Sequence, residues 1–121
     1  MAMKILVPIP SAENAKKALP KVAQIAKAMD AKVTLFHACY SGVGAFAGEG
    51  SPETIKMEEA QEQKFCATFL GKAAEDLKAK GVTKVDWVCK DGLPARQVIG
   101  YAQEKKYDLI VIGPDSAHEM F

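Results

Sequence analysis

Hydrophobic and polar positions change period several times along the chain, and each change marks an element. In "KILVPI" the apolar residues run with no polar alternation, as in a short buried strand, and Pro10 closes the run. Pro8 cannot donate to a ladder, so it belongs near the end of that strand or where its amide position faces no neighbour. From Ser11 the period lengthens. Ala15, Ala18, Leu19, Val22, Ile25, Ala26 and Met29 recur at helical spacing with lysines opposite, which predicts an amphipathic helix. Ser11 is placed to cap it, and Glu13 falls in the first turn, where negative charge suits the helix dipole. Pro20 removes one backbone bond inside the helix, so a kink near residues 16 to 20 is expected rather than two helices.

"AKVTLFHA" reads as a second strand, and "CYSGVGAFAGEGSP" as a glycine-rich loop. A long helix is expected from about Pro52 to Lys80, with Phe65, Phe69, Leu70, Ala73 and Leu77 as its buried stripe and Gly81 as its stop. "TKVDWVCK" predicts a third strand. Gly92 permits a tight turn, Pro94 suits the first turn of a helix, and Ala95, Val98, Ile99 and Ala102 form its buried face. Leu109 to Ile112 then form a fourth apolar strand with no polar alternation, the pattern of a strand covered on both faces. Strands alternating with helices predict one α/β domain over residues 1–121: an open parallel sheet of four main strands with helices on both faces. No internal repeat or linker interrupts it.

Composition narrows the function classes. With 49% hydrophobic and 26% charged residues, the 121-residue chain suits one core. Its net charge of +1 gives no field to attract nucleic acid or an anionic membrane. No stretch reaches the roughly 20 apolar residues that span a bilayer, and "MAMKILVPIP" does not resemble a signal peptide, so a cytoplasmic location is expected. Cys39, Cys66 and Cys89 are odd in number and widely spaced, so free, core or half-buried thiols are expected instead of a disulfide framework or zinc knuckle.

"KILVPIPSAENAKKAL", "AKVTLFHA" and "DGLPARQVIGYAQEKKYDLIVIG" together resemble the universal stress protein family, from Lys4 to Gly113. The most specific part is Gly92, Pro94, Ala95 and Ile99 followed by Asp108 to Gly113. The resemblance implies a Rossmann-like sheet related to the adenine-nucleotide alpha-hydrolase folds. It also implies where a nucleotide would sit: Pro10 and Ser11 after the first strand, Ala38 and Cys39 at the end of the second, Gly113 and Ser116 in the phosphate loop. Members that bind ATP carry an acidic residue at the first of these positions. Pro10 has no side-chain acceptor for a ribose hydroxyl or cation. Ser116 stands where the loop's second glycine is expected, and Phe121 comes before the remaining loop spacing, final helix and final strand.

Other candidates have simpler explanations. Gly42, Gly44, Gly48 and Gly50 lack the Lys-Ser/Thr of a P-loop. Asp115, Ser116 and His118 have the residue types of a triad but share one short segment with no oxyanion scaffold. His37 has no second histidine or carboxylate at a ligand spacing, so it reads as a hydrogen-bonded core histidine. Met57, Met120, Phe65, Phe69 and Phe121 could line an apolar pocket, yet packing explains them more simply.

Three functional readings follow in order of support. The first is a universal-stress-like protein that acts through partner binding, with no ATP or other cofactor. The second is a module for AMP, ADP or ATP, and the third an enzyme such as a hydrolase or adenylyl transferase, for which no nucleophile and base can be paired. An apolar fourth strand at a sheet edge recruits another chain, so a homodimer is expected through Ile110, Ile112, Met120 and Phe121.

Overall fold

The computed structural model describes residues 3–39 and 52–113. The elements run β1 (Lys4–Pro8), α1 (Ala12–Met29), β2 (Lys32–Cys39), α2 (Pro52–Ala79), β3 (Val85–Asp91), α3 (Pro94–Glu104) and β4 (Leu109–Ile110). All the strand pairs are parallel, in the order β3-β2-β1-β4. Pro8 is the last residue of β1, where its missing N–H costs the ladder least.

Local chemistry accounts for most boundaries. Asn14 donates its backbone N–H to Ser11 Oγ at 3.2 Å, capping α1, and Pro20 lies inside that helix without ending it. Asp30 closes α1 in the left-handed conformation, and Gly81 follows α2 with φ +99°. Pro94 opens α3 at its first turn.

Successive side chains of a strand point to opposite faces, and the core divides accordingly. Ile5, Val7, Val33 and Leu35 pack with Leu19 and Val22 of α1 and with Leu70 and Leu77 of α2. On the opposite face Leu6 and Phe36 pack with Val98 of α3. Helices therefore cover both faces, two on one side and one on the other. Buried Thr34 joins three segments on the α3 side: its hydroxyl donates to Asp86 Oδ1 at 2.6 Å and accepts from Tyr107 Oη at 2.8 Å.

Four expectations need correction. Phe65, placed in the buried stripe of α2, is 68% exposed, whereas Phe69, Leu70, Ala73 and Leu77 are buried. Ile99 is exposed as well, leaving Val98 as the buried anchor of α3. The fourth strand is short, and Ile110 and Ile112 are exposed while Leu109 and Val111 pack against the core of α1 and α2. For Ile99 and β4 the reason is shared: α3 packs over β2, so among the described residues the sheet face beside it at β4 has little cover.

The fourth correction concerns the thiols. Cys66 of α2 and Cys89 of β3 form a disulfide, not free thiols. Packing of α2 on β3 brings together two residues 23 apart in sequence, a closeness that no Cys-x-x-Cys spacing announces. The cluster Gly42 to Gly50, the side chains of Cys39 and Met57, and Asp115, Ser116, His118, Met120 and Phe121 lie outside the described residues.

Candidate functional site

Parallel neighbours end at the same edge of a sheet, and open α/β sheets bind ligands at the carboxyl ends of their strands. Here Pro8, Ile9 and Pro10 leave β1 beside Phe36, His37 and Ala38 of β2, and Pro94 and Val98 of α3 close the remaining wall. Together they line a cleft of about 180 Å³. Of the positions implied by family resemblance, Pro10 and Ala38 line this cleft. Ser11 stands next to it, but its Oγ is occupied, accepting from Asn14 Nδ2 at 3.1 Å as well as from the Asn14 backbone. Cys39 is the last residue of β2, with its side chain outside the described residues. Gly113 is half-buried after β4 and does not line the cleft, and Ser116 lies outside the described residues.

Among the described residues the β1 side of the cleft is poor in hydrogen-bond donors. Pro8 and Pro10 have no backbone N–H. The N–H of Ile9 donates to the Phe36 carbonyl at 2.8 Å. His37 Nδ1 lies 2.7 Å from the Ile9 carbonyl, and a carbonyl only accepts, so Nδ1 carries the hydrogen. In the neutral tautomer which that bond selects, Nε2 is the acceptor. Phe69 meets the same ring edge-on at 5.6 Å, fixing its plane from the α2 side. His37 is therefore hydrogen-bonded as read from the sequence, but it is half-buried in the cleft wall and not in the core.

Sequence reasoning missed Pro8, Ile9, Phe36, Pro94 and Val98 as walls. Pro94 carried a usable signal, because a proline opening a helix directly after a strand marks the carboxyl edge of the sheet. Among the described residues no group of three His, Cys, Asp or Glu side chains gathers to hold a metal, and none of the cleft residues is a carboxylate. The arrangement can hold a small apolar or flat group. It has no free amides on the β1 side to hold an anion.

Comparison with known proteins gives a consistent result. Residues 1–118 match the Universal stress protein family. A universal stress protein of Methanocaldococcus jannaschii is 31% identical over 113 residues, covering 91% of this chain, which spans 63% of that relative's length. Universal stress protein UspA from Lactobacillus plantarum superposes with a TM-score of 0.67 at 21% identity, over 96% of this chain and 81% of the other. The universal stress protein from Archaeoglobus fulgidus in complex with dAMP gives 0.65 at 22% identity, over 98% and 88%.

Proposed function

The chain belongs to the universal stress protein family, and from that premise we propose that it serves in the stress response as a cytoplasmic partner-binding protein that does not bind ATP. The donor-poor cleft carries this reading. A triphosphate needs several converging N–H groups or cations, and here Pro8, Ile9 and Pro10 offer none that is free. The volume of about 180 Å³ is also below the roughly 300–1,000 Å³ of common small-molecule sites. Among the described residues no helix is long and apolar enough to cross a membrane.

The partner surface is the edge at β4. Among the described residues that strand has a neighbour, β1, on one side only, and Ile110 and Ile112 stand exposed beside it. An apolar edge with unpaired backbone groups is suited to a second copy of the chain.

A second reading is binding of an adenine monophosphate nucleotide, supported by the dAMP held by the Archaeoglobus fulgidus relative and by the position of Ala38 at the end of β2. Titration calorimetry with magnesium separates the two. Loss of several charge-assisted contacts, each worth about 1.5–3 kcal/mol, places ATP in the millimolar range. A low-micromolar dissociation constant for ATP would falsify the first reading, and such a constant for AMP alone would establish the second.

A further inference from the structure

The outer surface between α1 and α2 holds a second concavity of about 460 Å³, sharing no residue with the cleft. Its floor and walls are Ala12, Ala15 and Leu19 of α1 and Phe65, Phe69 and Ala73 of α2. The small alanine side chains leave space between the helices, and the exposed ring of Phe65 stacks on Phe69 with centroids 6.1 Å apart. The polar lining is uneven in sign. Asp76 is held by Lys80 at 3.1 Å, whereas Lys16 and Lys72 have no anionic partner among the described residues. Two uncommitted cations thus border an apolar trough.

We propose that this groove binds a long-chain carboxylate, with its hydrocarbon tail along Phe65 and Phe69 and its head group at Lys16 and Lys72. The dimensions fit a tail. From Phe65 to Lys72 the lining of α2 extends about 10 Å at the helical rise, enough for about eight carbons, and the end of a longer chain passes out beside the exposed ring of Phe65. The volume lies in the range of ordinary ligand sites. Apart from Thr68, whose hydroxyl donates to the Lys64 carbonyl at 3.0 Å, the walls between the charged residues are phenylalanine, leucine and alanine, so the recognition is apolar along the trough and of an anion at the lysines. This site does not depend on the reading of the cleft.

Titration calorimetry of the full chain with dodecanoate, below its micelle concentration, tests the assignment against dodecyltrimethylammonium, which has the same tail and the opposite charge. Dodecanoate is expected to saturate at one per chain and to bind about tenfold more tightly than the cation, the effect of two exposed charge contacts. The double variant Lys16→Glu/Lys72→Glu, at two exposed positions, is expected to erase that preference. Phe65→Glu is expected to remove binding with the far-ultraviolet dichroism unchanged. Equal binding of both head groups, no saturable binding, or a preference retained in the lysine double variant would overturn the proposal. So would a dimer that Phe65→Glu dissociates in sedimentation, because a second copy would then be the occupant.

Discussion

At Gly92 the backbone has φ +137°, a region in which an L side chain is strained, one residue after β3 and two before Pro94. An added Cβ would lie 2.5 Å from Gln97 Nε2, the far end of a flexible chain that can move aside, so the backbone strain dominates. Gly92→Val is expected to destabilise the fold by at least about 1 kcal/mol. A lowered urea midpoint with an unchanged slope checks it, and an unchanged midpoint would show that the turn tolerates a side chain. Tyr101 gives a pH prediction. Burial, then the neighbouring Tyr107, pushes its hydroxyl up from 10.0 to about 12. The folded state thus favours the protonated ring. Its contribution to stability is complete below pH 10.0, where the unfolded ring also stays protonated, and is lost as pH rises from 10.0 through about 12. Tyr101→Phe should flatten the alkaline slope of stability, and phenolate absorbance should show the late titration directly.

The long helix α2 depends on more than its apolar stripe. Cys66 is fully buried and bonds to Cys89 on β3, the strand at one edge of the sheet. The link closes a loop of 23 residues in sequence separation, and such a constraint limits the unfolded chain, stabilising the fold by about 2–4 kcal/mol. Cys89→Ser, or reduction of the native chain, is expected to lower the denaturation midpoint by a corresponding amount. A Cys89→Ser variant as stable as the oxidised parent would show that packing of Leu70 and Leu77 alone holds α2 in place. At the other end of the sheet no comparable link exists among the described residues. There β4 relies on its ladder with β1 and on the Lys4 N–H donating to Asp108 Oδ2 at 2.8 Å.

At the scale of the molecule, uneven cover matters most. Two helices pack on one face and one helix, centred on β2, on the other. Ile110 and Ile112 are left 37% and 39% exposed on the uncovered side, with Ile99 of α3 also exposed at 48%. An edge of this kind is the proposed seat of a second copy. Sedimentation at low micromolar concentration should show a dimer, and Ile110→Glu combined with Ile112→Glu should convert it to a monomer. A parent chain that is already monomeric would rule the edge out as the interface.

Sequence alone determined the order and type of the elements, the cap at Ser11, the place of Pro8 at the end of β1 and of Pro94 at the start of α3. These features depend on periodicity and capping within a few residues, so they can be read along the chain. Of the positions implied by the family resemblance, Pro10 and Ala38 line one cleft, because parallel neighbours β1 and β2 end at one edge. The donor poverty of the cleft was only half visible. Two prolines announce missing amides, but the commitment of the Ile9 N–H to the Phe36 carbonyl and of the His37 Nδ1–H to the Ile9 carbonyl needs the register of separate segments. Tertiary structure decided the rest. A helical stripe shows which side of a helix is apolar, not how far the surface beneath it extends, and so Phe65 and Ile99 emerge exposed. Nor does a count of cysteines reveal that α2 packs on β3 with Cys66 over Cys89. Register and layer cover are properties of segments distant in sequence, and they exist only once the sheet has formed.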